Sequence, residues 1–351
     1  MTPRRRSRQV VVGGVTLGGD APIRVQSMTN TDTRNVAATV EQIRRLQRAG
    51  CEIVRVAVPD EEAVRALREI RKEVDLPVVA DIHFDYRLAL GALEAGADKL
   101  RINPGNIGRR EKVEAVARAA KERGVPIRVG VNSGSLRRDI LRKYGGATAE
   151  AMVKSALEEI RILEEVGFED IVISLKASDV PRTVRAYRLI ADRVPYPLHI
   201  GITEAGTVRS GVVRSAVGLG VLLWEGIGDT IRVSLCGDPA EEVWTAYEIL
   251  KALDLRRRGA TVVACPTCGR TEIDVVSLAE KVERALAEFE DPITVAVMGC
   301  VVNGPGEARE ADVGVAGGRA AGVVFRRGKV VRRVGEEGLF EALMEEIGKL
   351  G

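Results

Sequence analysis

The stretch from residue 51 to residue 84 reads "CEIVRVAVPDEEAVRALREIRKEVDLPVVADIHF" and contains two strand-like runs separated by a helical one. Its ends, "IVRVAV" and "PVVADI", are rich in β-branched residues with few polar interruptions, as strands buried on both faces of a parallel sheet are. Its middle, "EEAVRALREIRKEV", has apolar residues three and four positions apart, which indicates an amphipathic helix. The stretch therefore predicts a βαβ unit, in which a helix connects two parallel strands.

This alternation recurs from about residue 24 to residue 255, where eight strand-like runs are each followed by a helical pattern. The runs are "RVQSMTN" from Arg24, "CEIVRVAV" from Cys51, "PVVADIHF" from Pro77, "DKLRINPG" from Asp98, "PIRVGVNSG" from Pro126, "DIVISLKAS" from Asp170, "PLHIGITEAG" from Pro197 and "TIRVSLCG" from Thr230. Eight parallel units predict a (β/α)8 TIM barrel, an α/β fold. The alternative, an open doubly wound sheet, usually has fewer strands and a glycine-rich phosphate fingerprint, and no such fingerprint follows the first strand. Residues 1–23 contain two short apolar pieces beside paired glycines, which predict a hairpin that closes one end of the barrel.

A second pattern begins after the charged stretch "DLRRRGA", residues 254–260, where we place a domain boundary. Beyond it come a strand "TVVACP", a helix "VVSLAEKVERALAEF", a strand "ITVAVMGCVV", two further strand-like pieces "DVGVAG" and "AAGVVFRRGKVVRRV", and a last helix "GLFEALMEEIGKL". This order predicts a small α+β domain. The expected domains are thus a TIM barrel over residues 1–256 and an α+β domain over residues 257–351.

The composition of the 351-residue chain argues against several classes of protein. Its 53 basic residues nearly cancel its 50 acidic ones, and only 3% of its residues are aromatic, which counts against a nucleic-acid binder. No stretch is long and apolar enough to span a bilayer, and the chain opens on no signal-peptide pattern, so we expect no membrane association. Five cysteines, an odd number without an export signal, indicate reduced thiols and predict a cytoplasmic protein.

Polar side chains interrupt the predicted barrel strands near their carboxyl ends, where TIM-barrel enzymes place their active sites. Five of them are cations that we expect to point into the barrel mouth: Arg55, Arg101, Arg128, Lys176 and Arg232. Their excess over the nearby Asp81 and Glu204 suits a phosphate or diphosphate ligand. A structural ion pair explains each arginine equally well when it is taken alone. Further polar candidates at the strand ends are Asn103, Asn132 and Ser234.

Proton transfer needs a titratable side chain at the same end of the barrel. The chain has two histidines, His83 and His199, and both fall within barrel strands. A lone strand histidine is more often a buried structural residue than a catalyst. Glu204, in the strand-end motif "GITEAG", is therefore the better candidate for proton transfer, and His83 is a second candidate for direct chemistry.

Three cysteines of the C-terminal domain have a spacing that suggests a metal site. "CPTCGR" places Cys265 and Cys268 at CxxC spacing, and Cys300 follows in the next predicted strand. A structural zinc site needs four nitrogen or sulfur ligands and lacks one here. A thioredoxin-type pair would leave Cys300 unexplained, and the CxxxCxxC pattern of radical enzymes is absent.

An iron–sulfur cluster is favoured over purely structural thiols, because it accepts three thiolates together with one different ligand. Glu307 follows Cys300 in the stretch "MGCVVNGPGEA", and the glycines around it allow the backbone to approach a bulky cluster. Its carboxylate is thus a candidate fourth ligand. The other two cysteines, Cys51 and Cys236, lie in the barrel, and we interpret both as structural.

Eight motifs, taken together, resemble the bacterial 4-hydroxy-3-methylbut-2-enyl diphosphate synthases of the non-mevalonate isoprenoid pathway. They are "VQSMTNTDT", "ADIHFD", "RINPGNIG", "VGVNSGSL", "SLKAS", "HIGITEAG", "CPTCGR" and "MGCVVNGPGEA". They occur in the family's order along essentially the whole chain. The resemblance implies an oxidoreductase with a [4Fe-4S] cluster that takes 2-C-methyl-D-erythritol 2,4-cyclodiphosphate, opens its ring and removes an oxygen with two electrons.

The resemblance also implies roles for individual residues and for the two domains. It implies that residues 1–256 bind substrate and that residues 257–351 bind the cluster, in a head-to-tail homodimer that receives electrons from reduced ferredoxin or flavodoxin. The implied cluster ligands are Cys265, Cys268, Cys300 and Glu307. The implied diphosphate-binding residues are Arg55, Arg101, Asn103, Arg128, Asn132, Lys176, Arg232 and Ser234, and the implied catalytic residues are His83, Glu204 and Glu307.

Two alternatives from other classes remain open at this point. One is a phosphate-binding barrel transferase, similar to pteroate synthases, whose C-terminal thiols hold structural zinc. The other is an iron–sulfur sensor that binds nucleic acid, against which the near-neutral charge of +3 counts.

Overall fold

The structure, a computed structural model, describes residues 1–103, 107, 110–287, 289–300, 310–318 and 321–350. The chain divides into two compact units, Met1–Arg256 and Arg257–Gly351. Among the helices of these described residues, none combines the length and the apolar character that a membrane span requires.

The first unit is an alternation of strands and helices. Its strands are β1 (Val10–Val12), β2 (Val15–Leu17), β3 (Arg24–Met28), β4 (Ile53–Ala57), β5 (Val78–Ile82), β6 (Lys99–Ile102), β7 (Ile127–Asn132), β8 (Ile171–Lys176), β9 (His199–Ile200) and β10 (Thr230–Ile231). Its described helices are α1 (Val36–Arg48), α2 (Glu61–Glu73), α3 (Tyr86–Glu94), α4 (Arg110–Glu122), α5 (Arg138–Tyr144), α6 (Ala149–Glu165), α7 (Val180–Ala191), α8 (Val208–Trp224) and α9 (Pro239–Ala252).

Eight of these strands form one parallel sheet in the order β8-β7-β6-β5-β4-β3-β10-β9. Ile173 in β8 makes a parallel bridge to Leu198, directly before β9, so the two ends of the sheet meet. The predicted TIM barrel is confirmed. Strands β9 and β10 are only two residues long, shorter than their sequence runs, although the Arg232 N–H donates to the Ile200 carbonyl at 3.0 Å and continues their pairing.

Helix α2, which connects β4 and β5 in the predicted βαβ unit, shows why the helices around the barrel form. The Asp60 carboxylate accepts a hydrogen bond from the Ala63 N–H at 2.9 Å and caps the helix, and Glu61 and Glu62 lie at its positive end. The face turned to the sheet carries the buried residues Ala63, Ala66, Leu67 and Ile70. Such an apolar stripe is what packs a surrounding helix onto a barrel.

The amino-terminal hairpin closes one end of the barrel, as predicted. Strands β1 and β2 pair antiparallel, with Val10 opposite Leu17. Their buried side chains form a separate apolar cluster with Ile53, Val79 and Val172, which begin or nearly begin their strands. The hairpin therefore fills the end opposite the carboxyl ends of the strands and leaves those ends for the site.

The second unit is an α+β domain. Its strands are β11 (Thr261–Ala264), β12 (Thr294–Met298), β13 (Val313–Ala316), β14 (Gly322–Arg326) and β15 (Lys329–Val334), and its described helices are α10 (Val275–Ala285) and α11 (Leu339–Ile347). The sheet runs in chain order, with β11, β12 and β13 parallel and the last two strands antiparallel. The predicted piece "AAGVVFRRGKVVRRV" contains two strands rather than one, because Arg327 and Gly328 take positive φ angles of 47° and 75° and reverse the chain.

Candidate active site

The barrel strands alternate between residues that face the helices and residues that face the barrel interior. In β6, Leu100 and Ile102 belong to the core beneath the helices, so Lys99 and Arg101 face inward. Asn103 continues this alternation. The same alternation places these residues of the other strands inside the barrel: Arg55, Asp81, Arg128, Asn132, Lys176, His199, Arg232 and Ser234.

Asp81, on β5, is the anionic centre of this interior. Its carboxylate lies 3.1 Å from Arg101 Nη1, 3.6 Å from Arg55 Nε and 3.4 Å from His83 Nε2. Burial works to raise the pKa of Asp81, but the charge of Arg55, the hydrogen bond from His83 and the charge of Arg101 together hold it well below its usual range. Asp81 is therefore a carboxylate that holds neighbouring cations in place.

We expect Asp81→Asn to lower the free energy of unfolding by about 3 kcal/mol at neutral pH, because it leaves the buried Arg101 and the partly buried Arg55 without their carboxylate. Since folding depresses the pKa of Asp81, its stabilising contribution is complete above the ordinary aspartate pKa of about 4 and is lost as the pH falls below it. Urea titrations at several pH values measure this. The difference in the free energy of unfolding between variant and wild type should stay constant above about pH 5 and become smaller below about pH 4. A difference of unchanged size in acid would contradict the stabilising role assigned to the Asp81 carboxylate.

Arg128 is the least compensated cation of the interior. Its side chain is 1% exposed, and neither Nε nor Nη1 has a hydrogen-bond partner among the described residues. Burial, and then the positive charges of Arg55 and Arg101, lower the pKa of Arg128 well below its usual value. A buried guanidinium with free N–H groups is a vacant donor for an anionic ligand.

Lys176, on β8, and His199, on β9, form a buried pair between the two strands at which the sheet closes. Lys176 Nζ lies 3.1 Å from His199 Nε2, and His199 Nδ1 lies 3.4 Å from Thr230 Oγ1. Burial, followed by the charge of Lys176, lowers the pKa of His199 well below its usual value. The ring is therefore neutral and accepts a hydrogen bond from the lysine, which makes His199 a support for Lys176 rather than a proton donor.

Two interior charges were not among the predicted site residues. Lys99 is fully buried, with Nζ 3.4 Å from Gln26 Oε1, and its spacing of two from Arg101 is the signal that identifies it. Glu242, on α9, accepts hydrogen bonds from Arg232 Nη2 at 3.2 Å and from Ser27 Oγ at 3.0 Å. Its position in the buried stripe of a helix is unusual for a carboxylate and points to a cationic partner.

The remaining predicted residues lie nearer the opening of the barrel. Asn103 Nδ2 donates to Ser135 Oγ at 3.1 Å, and Ser135 Oγ donates to the Asn132 carbonyl at 3.1 Å, so the ends of β6 and β7 are tied together. Ser234 is half-buried beyond β10. His83 is half exposed, and Glu204 is exposed in the loop after β9, where its φ of 51° is a strained conformation for a residue with a side chain.

Two thiols of the second unit, those of Cys265 and Cys300, lie at one edge of its sheet. Strands β11 and β12 are parallel neighbours, and Cys265 directly follows the first while Cys300 closely follows the second. The Gly299 N–H donates to Cys265 Sγ at 3.0 Å. Cys268 is exposed, and hydrogen bonding to the Arg270 backbone, with the charge of that arginine, lowers the pKa of its thiol.

These donors fit an iron–sulfur group in their chemistry, since thiolates are its ligands and backbone N–H groups commonly donate to them. Glu307 lies outside the described residues. Within the part of the chain that is described, no three His, Cys, Asp or Glu side chains are grouped as a metal site. Of the barrel thiols, Cys51 is buried, which raises its pKa to about 12, and Cys236 is exposed.

Fold and site together define a class of protein: a TIM barrel with a buried cationic site at the carboxyl ends of its strands, followed by an α+β domain with thiols at one sheet edge. Two family models match the chain, the GcpE TIM-barrel domain over residues 7–247 and the GcpE protein C-terminal domain over residues 261–349. The chain belongs to the GcpE family, which are 4-hydroxy-3-methylbut-2-en-1-yl diphosphate synthases. The resemblance seen in the motifs is confirmed, and so is the predicted class of enzyme, an oxidoreductase.

Similar proteins cover the chain almost completely. A relative from Geobacter sulfurreducens is 62% identical over 347 residues, 99% of this chain and 98% of its own length. One from Caldanaerobacter subterraneus is 59% identical over 347 residues, with the same coverage. Both are named 4-hydroxy-3-methylbut-2-en-1-yl diphosphate synthase (flavodoxin).

Among solved structures, the chain is similar to dihydropteroate synthases. That of Stenotrophomonas maltophilia superposes with a TM-score of 0.52 at 17% identity, covering 71% of this chain and 98% of the other. That of Xanthomonas albilineans gives 0.50 at 18% identity, covering 70% and 99%. At such identities the likeness is one of fold alone, so the transferase alternative is not favoured over the family that the relatives define.

Proposed function

We propose that this enzyme converts 2-C-methyl-D-erythritol 2,4-cyclodiphosphate into 4-hydroxy-3-methylbut-2-enyl diphosphate. The reaction opens the cyclic diphosphate and removes one oxygen as water, consuming two electrons and two protons. The names of the relatives support the product, and the cationic interior of the barrel supports a diphosphate substrate.

One observation carries the substrate assignment: the barrel interior holds more cations than its carboxylates neutralise. The carboxylates that pair with these cations are Asp81 and Glu242. The inward-facing basic side chains are Arg55, Lys99, Arg101, Arg128, Lys176 and Arg232. Buried charges without counter-charges are costly, so the site is built at the expense of stability for an anion that supplies the missing charge.

The hydrogen-bond donors without partners support a specific way of holding the diphosphate. Arg128 offers Nε and Nη1, and Arg101 and Arg232 each offer a buried Nε without a partner among the described residues. Each charge-assisted hydrogen bond to phosphate contributes about 1.5–3 kcal/mol. In this proposal Arg55, Lys176 and the strand-end residues Asn103, Asn132 and Ser234 complete the diphosphate site.

In this proposal, proton transfer is carried out by residues at the opening of the barrel. Glu204 is exposed at the carboxyl end of β9, and His83 reaches the same region beside Asp81 at 3.4 Å. Both are accessible to a substrate held by the cations behind them. We assign the proton transfer to Glu204 and a supporting role to His83.

The cofactor in this proposal is a [4Fe-4S] cluster held by Cys265, Cys268, Cys300 and Glu307. Bound there, it would supply single electrons and Lewis acidity. The placement of Cys265 and Cys300 at one sheet edge supports this ligand set, as does the lowered thiol pKa of Cys268. Residues 1–256 would then be the substrate-binding domain and residues 257–351 the cluster-binding domain.

The electron donor in this proposal is reduced flavodoxin, which the names of the relatives support, with ferredoxin as the second candidate. We further propose a head-to-tail homodimer, in which each cluster domain serves the barrel of its partner, and a location in the cytoplasm.

The test is to purify the enzyme without oxygen and to measure iron, acid-labile sulfide and turnover of the cyclic diphosphate. We expect about four iron and four sulfide per chain, and turnover that requires reduced flavodoxin. Omitting flavodoxin is the control, and adding ferredoxin in its place separates the two donors. Zinc without sulfide, together with no turnover, would overturn the proposal in favour of the transferase alternative.

A further inference from the structure

Gly130 lies in the middle of β7, at an inward-facing position between Arg128 and Asn132. A Cβ atom built on Gly130 would lie 2.6 Å from Arg101 Nε, 3.2 Å from Arg101 Cζ and 3.1 Å from Arg101 Nη2. The three nearest atoms all belong to one guanidinium, on the neighbouring strand β6. The space that any other side chain would fill is therefore occupied by Arg101.

No backbone requirement explains a glycine at this position. Gly130 is not among the glycines with positive φ, and its strand conformation is open to every residue. Glycine within a strand costs about 0.5–1 kcal/mol relative to alanine. The chain accepts this cost at a site where the only feature that glycine offers is the missing Cβ.

The guanidinium that rests on Gly130 is held on two further sides. Arg101 Nη1 donates to Asp81 Oδ1 at 3.1 Å, and Nη2 donates to the Gly130 carbonyl at 3.4 Å. These contacts leave Nε buried without a partner among the described residues. Arg101 Nε, the atom without a partner, is also the guanidinium atom nearest to the position that a Cβ on Gly130 would take.

We propose that Gly130 is a positioning residue for substrate binding. By presenting no Cβ, it lets the Arg101 guanidinium lie against β7 with Nε free to donate to a phosphoryl oxygen. This inference rests on the proposed function, and it assigns a role to a residue that has no polar side chain and makes no chemical step itself.

A second pair of neighbouring strands repeats the arrangement. A Cβ on Gly201, just after β9, would lie 2.8 Å from Lys176 Nζ. That Cβ would also lie 2.3 Å from the backbone oxygen of Arg232, so a variant of Gly201 would disturb the barrel itself. Gly130, whose nearest neighbours are side-chain atoms only, is the position at which the effect on binding can be isolated.

The test is the variant Gly130→Ala in the full-length enzyme, purified without oxygen and containing its cluster. We expect the KM and the dissociation constant for the cyclic diphosphate to rise about tenfold or more, the loss of roughly one charge-assisted hydrogen bond, with kcat changed much less. Gly220→Ala is the control, because a Cβ on that helical glycine meets nothing within 4 Å. Substrate affinity equal to that of the wild type in Gly130→Ala would overturn the inference.

A double-mutant cycle identifies the route of the effect. In the background Arg101→Lys, which removes the guanidinium, Gly130→Ala should change the dissociation constant by less than about twofold. A full tenfold effect in that background would show that Gly130 does not act through Arg101. If the wild type itself fails to bind the cyclic diphosphate, the proposed function fails, and that result is distinct from a wild type that binds and a variant that binds equally well.

Discussion

Replacing Arg128 with methionine is expected to weaken binding of the cyclic diphosphate by about 100-fold or more, while raising the melting temperature of the enzyme by about 4 °C. The loss of affinity follows from removing Nε and Nη1, two buried donors without partners among the described residues. The gain in stability follows because folding brings the positive charge of Arg128 close to those of Arg55 and Arg101. Methionine carries no charge, so the variant avoids this repulsion.

The matched control is Arg101→Met, which removes a neighbouring arginine of the same site. Arg101 pairs with Asp81 at 3.1 Å, so its loss leaves a buried carboxylate with one partner fewer. We expect this variant to lose substrate affinity as well, but to melt at a lower temperature than the wild type. Calorimetry of unfolding and of substrate binding measures both quantities. A lower melting temperature for Arg128→Met would contradict the view that its charge is uncompensated.

Replacing Cys300 with serine is expected to remove the proposed cluster, and with it the activity. Serine keeps the size of the side chain but replaces the soft thiolate that iron–sulfur clusters require. Cys300 is 7% exposed beside the carboxyl end of β12, so no second thiol can readily take its place from solvent. Iron and sulfide content, visible absorbance and turnover of the anaerobic protein measure the effect.

Cys236→Ser is the control for this experiment, because Cys236 is an exposed thiol of the barrel domain. It should retain full iron and sulfide content and full turnover. Cys300→Ser should fold normally, since the core of the α+β domain is formed by other residues, among them Val282, Val295 and Leu343. Full cluster content in Cys300→Ser would remove this thiol from the ligand set and leave the proposed cofactor site without its third sulfur.

The barrel was predictable because its evidence is local and repeated. A run such as "IVRVAV" followed by "EEAVRALREIRKEV" shows both hydrophobic periods within one unit, and each of the eight units repeats them. The inward direction of Arg55 and Arg101 was predictable for a similar reason: a charged side chain in a doubly covered strand has only the interior to enter. The short extent of β9 and β10 was not predictable, because the strand-like sequence pattern continues beyond the two residues that each strand contains.

The partners of the charges were beyond the reach of sequence patterns. Strand-end position does not single out Lys99, because it is the first residue of β6, and Glu242 resembles the other glutamates of its helix. Arg232 and Glu242 meet because α9 packs against β3, the neighbour of β10 in the sheet, and Lys99 meets Gln26 only across the closed barrel. Contacts of this kind depend on which strands become neighbours.

Hydrophobic period was thus enough to predict a barrel followed by an α+β domain, and strand-end chemistry was enough to select the cationic residues. The family came from the resemblance of eight short motifs. All of these signals lie in short segments that can be interpreted one at a time. The tertiary structure alone decided which cations pair with Asp81 and Glu242, that Arg128 keeps donors without partners among the described residues, and that the Arg101 guanidinium fills the space beside Gly130. These properties arise from distances between residues far apart in the chain, and buried electrostatic and steric energies depend on those distances.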